Sequence, residues 1–195
     1  MQAFHLLGSA PFYTNSFLLL TKAGHAVIID PAAGVQEYDQ ILRDHGAVLT
    51  HILCTHGHYD HVGSEWGAKI WCEAADCAGT QLFPLKSADF GYGEGTNLLV
   101  DELTFTAWHT PGHTEGSVVL LCSEYLFVGD TVFQGSIGRT DLEGGSDRKL
   151  EASLRKFAGL PIPKETQLLP GHGDFSTYGE ELETNYYIKA ALRNA

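Results

Sequence analysis

Apolar residues in this chain form short runs that are separated by glycine, proline and polar residues, a pattern typical of many short strands. Runs at 3–7, 16–21 and 26–30 predict three strands at the start, with a hairpin turn at 22–24. Residues 35–45 instead carry apolar side chains at helical spacing and predict a helix. The first part of the chain is therefore expected to combine three strands with one helix.

The same alternation of strands and helices continues to the end of the chain. Further strands are predicted at 48–55, 68–72, 103–108, 117–122, 125–128 and 166–169. A short helical piece is predicted at 73–78, and Ser146 is a candidate N-cap for a helix that ends near Ala158. Thr177-x-x-Glu180 is a capping box for one last helix, with Leu182, Tyr186 and Ala190 on one face. The stretches 81–95 and 129–145 are predicted to be loops.

This order of elements predicts one α/β (α+β) domain over residues 1–195, with two sheets covered by helices. The chain has 195 residues, of which 44% are hydrophobic, so it can form a substantial core. No repeat, low-complexity tract or linker interrupts it. A single compact domain is therefore the expectation.

Charge and cysteine content narrow the possible partners and the compartment. The net charge of −12 disfavours a nucleic-acid partner, because an acidic surface repels phosphates. The first residues lack the features of a signal peptide, and the apolar run at 17–20 is too short to cross a membrane. The four cysteines have no C-x-x-C spacing and are expected to be buried free thiols in a reducing cytosol. We therefore expect a cytoplasmic protein without a membrane partner; its oligomeric state stays open.

Histidine and aspartate residues cluster directly after four of the predicted strands. The stretch Thr55-His56-Gly57-His58-Tyr59-Asp60-His61-Val62-Gly63 follows one strand, and a T-P-G-H, a G-D and a P-G-H-G follow three others. The candidate ligands are His56, His58, Asp60, His61, His113, Asp130 and His172. Strand ends that share an edge of a sheet would bring these side chains to one site.

Imidazole and carboxylate groups are usual ligands of zinc, and seven of them are too many for one ion but suit two. Two ions held close together form a clamp for hydrolysis. The sequence thus predicts two divalent metal ions, zinc in the first place, with iron or manganese as alternatives.

These motifs resemble, in the same order along the chain, those of the metallo-β-lactamase superfamily. The resemblance implies a four-layer αβ/βα sandwich. By position, it assigns His56, His58 and His113 to the first metal, and Asp60, His61 and His172 to the second. It also implies that Asp130 bridges the two ions and that Asp30 supports the site.

The loop at 129–145 and the chain after Pro170 are similar to those of small bacterial glyoxalase II-type hydrolases. This narrower resemblance implies hydrolysis of S-acyl-glutathione thioesters such as S-D-lactoylglutathione. The expected nucleophile is a hydroxide that bridges the metals, and the expected catalytic residue is Asp60, which orients or deprotonates the water.

The resemblance leaves the recognition of glutathione open. Arg139 stands near the place where longer glyoxalase II enzymes have a lysine, so it either pairs with a substrate carboxylate or braces a loop. Asp141 stands where a tyrosine is expected. The aromatic residues of 81–95 are equally compatible with the substrate mouth and with a dimer contact.

Other functions remain as alternatives. Persulfide dioxygenases of the same superfamily also carry a G-R-T-D like that at 138–141, and there His56, His113 and Asp130 would hold one iron. A lactonase or β-lactamase is a third possibility. A metal-storage or structural module is disfavoured, because structural zinc sites are usually closed and rich in sulfur.

Overall fold

The structure, a computed structural model, describes residues 1–63 and 67–193. Thirteen strands and four helices are found in these ranges. The strands are β1 Gln2–Leu7, β2 Asn15–Leu20, β3 His25–Ile29, β4 Val48–Leu53, β5 Lys69–Trp71, β6 Asn97–Val100, β7 Leu103–His109, β8 Val118–Cys122, β9 Tyr125–Gly129, β10 Val132–Phe133, β11 Ser136–Ile137, β12 Gln167–Pro170 and β13 Ser176–Thr177. The helices are α1 Val35–His45, α2 Asp147–Ala158, α3 Tyr178–Thr184 and α4 Tyr186–Arg193, and a 3₁₀ turn covers Ala74–Asp76.

The first sheet contains β1 to β5 in chain order. The first three strands are antiparallel neighbours, because short turns join them, whereas β3, β4 and β5 run parallel. Helix α1 makes the crossover from β3 to β4 and covers the outer face of this sheet. Tyr38 of α1 is fully buried there among Leu18, Leu20 and Ile28.

The second sheet has the order β13-β12-β9-β8-β7-β6. Its single parallel pair is β9 with β12, and α2 makes part of the long connection between them. Helices α2, α3 and α4 cover the outer face, where Leu150, Leu154 and Phe157 of α2 pack with Tyr178 and Ile188.

The main core lies between the two sheets. Strand β7 places Leu103, Phe105 and Ala107 inward at alternate positions, and they meet residues such as Phe17 and Phe127. Burial of a large apolar side chain stabilises a fold by about 1.5–3 kcal/mol. The layers are thus helix, sheet, sheet and helices, and the predicted αβ/βα sandwich is confirmed.

Most predicted elements are found within one or two residues of their predicted bounds, but no sequence signal indicated two of the strands. Strands β6 and β13 differ from the prediction because they have only four and two residues. The stretch 129–145 is not all loop, since it holds the small hairpin β10–β11.

The single last helix is in fact two helices, α3 and α4. The chain turns at buried Asn185, whose Oδ1 accepts hydrogen bonds from the amides of Tyr187 and Ile188, while its Nδ2 donates to the carbonyls of Phe133 and Ser136. The helical pattern continues through this residue, so the break depends on a distant hairpin.

The cysteine prediction agrees with the structure in three of four positions: Cys54, Cys72 and Cys122 are buried thiols, and Cys77 is partly exposed. No helix within the described residues has both the length and the apolar composition needed to cross a membrane.

Candidate metal centre

The seven predicted ligands lie together at one end of the sandwich. Four of them follow β4, and the others follow β7, β9 and β12, so two facing sheets contribute to one site. Because β9 and β12 run parallel, their carboxyl ends reach the same edge of the second sheet, and the loop after β4 meets them from the first sheet. The site is thus fixed by rigid strands, although its side chains are on loops.

The side chains form two groups that share a border. In the first group, His56, His58 and His113 turn ring nitrogens toward one point, and His58 Nδ1 is 3.0 Å from His113 Nε2. In the second group, His172 Nε2 is 3.4 Å from both His61 Nε2 and Asp60 Oδ2. Each group offers three ligand atoms within 4.8 Å of one another.

Asp130 lies on the border between the two groups. Its Oδ2 is 3.5 Å from His113 Nε2 and 3.5 Å from His172 Nε2, and its Oδ1 is 3.5 Å from His61 Nε2. The carboxylate therefore faces ligands of both groups at once, which is the position a bridging ligand needs.

The donor set fits divalent metal ions. Ligands at about 2.0–2.1 Å from a tetrahedral zinc ion are roughly 3.4 Å apart, close to the separations found here. Two polar atoms that face the centre, His56 Nε2 and Asp130 Oδ1, are buried without a hydrogen-bond partner. Because a buried unpaired polar atom is costly, these two atoms point to a cation as their partner.

Hydrogen bonds at the far side of three imidazole rings orient them. His61 Nδ1 donates to Asp30 Oδ2 at 3.1 Å, and His113 Nδ1 donates to the carbonyl of Arg139 at 2.8 Å. His172 Nδ1 donates to the carbonyl of Phe12 at 3.1 Å. With the proton on Nδ1, the Nε2 lone pair faces the centre, as metal-binding histidines require.

Asp30 is held rigidly behind the site. It lies at the end of β3 with a φ of 48°, a strained backbone for an aspartate, and its carboxylate accepts from the amide and the hydroxyl of Thr55 at 2.7 Å each. This strained position lets one carboxylate contact both the start of the ligand loop and His61.

The site itself shifts the pKa values of its groups. Burial and neighbouring histidines lower the pKa of His56 well below its usual value and that of His58 to about 4, so both rings are neutral donors. Burial also acts against a charge on His61, but Asp130 and Asp30 outweigh it and raise the pKa to about 9. For Asp60, burial is outweighed by hydrogen bonds from His172 and Thr14 and by the charge of His61, and its pKa falls below the usual range.

The second group forms the open side of the centre. The side chains of His172, Asp60 and Asp130 are 28%, 15% and 10% exposed, whereas that of His61 is inaccessible. Aromatic residues border this side: Phe12 packs edge-on against Tyr59, and the ring of Phe133 lies 6.2 Å from that of His172. A substrate can therefore reach the centre past these rings.

Arg139 is engaged by its neighbour. Its Nε and Nη2 donate to the two carboxylate oxygens of Asp141, at 2.7 and 2.8 Å, and both side chains are more than half exposed. The hydrogen bonds from Arg139 lower the pKa of Asp141 to about 2. The guanidinium is thus paired within its own loop, while the carbonyl of Arg139 orients His113.

Two residues that support the site lie outside the sequence motifs. Thr14 Oγ1 donates to Asp60 Oδ2 at 3.0 Å, and Asp76 contacts both loops of the first group. Phe83, an aromatic residue of the stretch 81–95, is buried and packs on His58. No sequence signal reveals Thr14 or Asp76, because each contact joins segments far apart in the chain.

Comparison with known proteins identifies the family. A model of the metallo-beta-lactamase superfamily matches residues 9–172, which contain all seven candidate ligands. The chain belongs to this superfamily. Among curated members, it is 31% identical over 201 residues to "Hydroxyacylglutathione hydrolase GloC" of Haemophilus influenzae, with 92% of this chain and 94% of that protein covered.

Solved structures of the superfamily agree with the fold. The "BLEG-1 B3 metallo-beta-lactamase" aligns with a TM-score of 0.84 and 30% identity over 96% of this chain and 99% of that one. "ETHE1 from Myxococcus xanthus" aligns with a TM-score of 0.82 and 26% identity, over 97% of this chain and 85% of that one. "TTHA1623 in a di-iron-bound form" aligns with a TM-score of 0.77 and 30% identity, over 94% of this chain and 99% of that one. The His/Asp cluster in this fold is a divalent metal site, and the chain is a metallohydrolase of the superfamily.

Proposed function

We propose that this chain hydrolyses thioesters, with S-D-lactoylglutathione or a related hydroxyacylglutathione as its substrate. The observation that carries the proposal is the position of Asp130 between two complete groups of ligands, which suits two divalent ions. The likeness to a hydroxyacylglutathione hydrolase over nearly the full length of both chains supports the substrate class. We further propose zinc as the metal, with iron or manganese as alternatives, and the cytoplasm as the compartment.

The chemistry of a thioester agrees with the residues at the centre. When bound, the metal ions supply a water of lowered pKa and positive charge for the developing oxyanion. Asp60 is ionised and lies on the open side, where its carboxylate accepts a hydrogen bond from the attacking water and orients it. Thr14 holds that carboxylate from behind.

The leaving group needs little help. The water gives up one proton to solvent as its oxygen bonds to the carbonyl carbon. The carbon–sulfur bond then breaks, the sulfur leaves as a thiolate, and the acyl group is released as a carboxylic acid. A thiol has an ordinary pKa of about 8.5, so departure does not require a dedicated acid. A lactam nitrogen, in contrast, must be protonated as it leaves.

The proposal is tested with a panel of substrates on one metal-loaded preparation. We expect loss of the thioester bond of S-D-lactoylglutathione, and much slower opening of a cephalosporin lactam. Fast lactam opening without thioester loss would refute the thioester assignment while leaving the metal centre intact.

A persulfide dioxygenase is the second candidate, and the likeness to the ETHE1 structure fits it. In that case one iron would be held by His56, His113 and Asp130. Oxygen uptake with glutathione persulfide distinguishes the two, because hydrolysis of a thioester consumes no oxygen. Oxygen uptake at one iron per chain, without thioester loss, would replace the hydrolase by the dioxygenase.

Removal of metal should lower the stability of the fold. A ligand present at about a thousand times its Kd stabilises the native state by roughly 4 kcal/mol, equivalent to about 8–16 °C in Tm for a chain of this size. We therefore expect a chelator to lower the Tm by at least several degrees, and added zinc to restore it, in a thermal melt followed by circular dichroism. An unchanged Tm would contradict the fit between this donor set and a resident metal.

Asp141 is expected to limit the affinity for anionic thioesters, because it occupies the guanidinium of Arg139. Asp141→Asn frees this cation, so the KM for S-D-lactoylglutathione should fall a few-fold with kcat unchanged. Glu143→Gln, which removes the same charge from the same loop, is the control. An equal fall in KM for both variants would reflect net charge alone and would exclude a specific role for Arg139.

A further inference from the structure

Asp76 is a buried carboxylate outside the ligand motifs. It ends the 3₁₀ turn Ala74–Asp76, which follows β5, and its side chain is inaccessible to solvent. A buried carboxylate needs several donors to be tolerated. The donors that it has here come from the two loops that carry the first group of metal ligands.

The first contact is with the loop after β4. Asp76 Oδ2 accepts from the amide of Gly57 at 2.9 Å, and Gly57 lies between the ligands His56 and His58. The backbone of the turn also touches this loop, since a Cβ at Gly57 would be 2.4 Å from the carbonyl oxygen of Asp76. The position of His58 is therefore directly coupled to the position of Asp76.

The second contact is with the loop after β7. Thr114, the residue next to His113, donates its hydroxyl to Asp76 Oδ2 at 2.7 Å, and the amide of Gly116 donates to Oδ1 at 2.8 Å. The two loops belong to different sheets. Asp76 is thus a polar anchor shared by the loop of His58 and the loop of His113, whose ring nitrogens are 3.0 Å apart.

We propose that Asp76 is a positioning residue that sets the separation of His58 and His113 and so holds the first metal site in shape. Asp30 has the corresponding role for the second group, because it accepts from His61 Nδ1, and it also holds Thr55, the residue before His56. Asp76 is the aspartate that joins the loop of His58 to the loop of His113. This inference rests on the metal sites of the proposed function and adds a residue that acts through the backbone and not as a ligand.

Asparagine is an informative substitution at this position. The two carboxylate oxygens face donors on both sides, so an amide turns its own N–H groups toward the amide of either Gly57 or Gly116. Size and shape are almost unchanged. A loss of metal affinity in Asp76→Asn therefore reports the hydrogen bonds and not the packing.

The test is a calorimetric titration in which Zn²⁺ is added to metal-free protein without substrate. A competing chelator is present so that tight binding can be measured. Wild type should bind two ions in separable events. Loss of a residue that orients metal ligands typically weakens binding tenfold to a hundredfold. Asp76→Asn should weaken one event by this factor, and Asp30→Asn, which removes the direct contact with His61, should weaken chiefly the other. The surface variant Asp89→Asn should change neither, since Asp89 is exposed and caps only the amide of Ile70.

If Asp76→Asn does not fold, two variants of Thr114 that differ in the side-chain hydroxyl test the same inference. Thr114→Val removes the bond to Asp76 and should weaken the same event, whereas Thr114→Ser keeps the hydroxyl and should restore it. The absorption spectrum of the Co²⁺-loaded protein should change in Thr114→Val and return in Thr114→Ser.

The outcomes separate this inference from the proposed function. The positioning role would be overturned if Asp76→Asn weakened both Zn²⁺-binding events equally. It would also be overturned if Zn²⁺ binding were unchanged in both Asp76→Asn and Thr114→Val. Binding of a single ion by wild type, weakened by Asp76→Asn but not by Asp30→Asn, would refute the two-ion proposal while supporting the role of Asp76.

Discussion

Asp130→Asn should remove nearly all hydrolytic activity, and it should lower the bound metal from two ions to at most one per chain. The carboxylate of Asp130 faces His61, His113 and His172 at 3.5 Å, so it stands between the two ligand groups. An amide offers one neutral oxygen and cannot bridge two cations. Loss of about 4 kcal/mol of transition-state stabilisation corresponds to roughly a thousandfold lower kcat.

Metal analysis and thioester hydrolysis on the same preparation check this result. Asp39→Asn, on the exposed side of α1, is the matched control and should keep both ions and full activity. Two ions per chain with a near-normal kcat in Asp130→Asn would mean that Asp130 does not bridge.

Asp60→Asn has the second largest expected effect. Asp60 is at the open side of the centre, contacts His61 and His172, and is held by Thr14. Because a misplaced reactant costs about a hundredfold in rate, we expect kcat to fall by about that factor, with a smaller change in KM and weaker binding at the second group.

Thr14→Val distinguishes the orientation of the Asp60 carboxylate from its role as a metal ligand. The variant keeps that carboxylate and removes only the hydrogen bond that it accepts from Thr14. Its kcat should lie between those of wild type and Asp60→Asn, with both ions retained. The role of Asp60 would be refuted if Asp60→Asn kept both metals and full activity in steady-state assays.

The pattern of the sequence was sufficient to predict two sheets covered by helices and the convergence of the seven side chains, and the family resemblance implied the four-layer sandwich. Strand periodicity and motifs at strand ends are local signals, and parallel strands bring such ends to one edge. The break at Asn185 could not be predicted in this way, because its cause is a hairpin some fifty residues earlier in the chain.

Support of the site depends on tertiary contacts in the same manner. Asp76 stands in an ordinary stretch, Glu-Ala-Ala-Asp, and becomes an anchor only when β5 is placed beside the loops of both sheets. The pairing of Arg139 with Asp141 could not be predicted for a different reason. Both side chains are in one exposed loop, where each could equally have faced solvent or substrate. The candidate ligands were thus readable from local sequence, whereas the contacts that orient their side chains were not.

The central claim is that two ions, held by seven side chains, make this chain a thioester hydrolase. The most direct test adds Zn²⁺ stepwise to metal-free protein and records the rate of S-D-lactoylglutathione hydrolysis against ions bound per chain. We predict that the rate rises until two ions are bound and then remains constant. A rate that is complete at one ion, or absent at two, would contradict the claim.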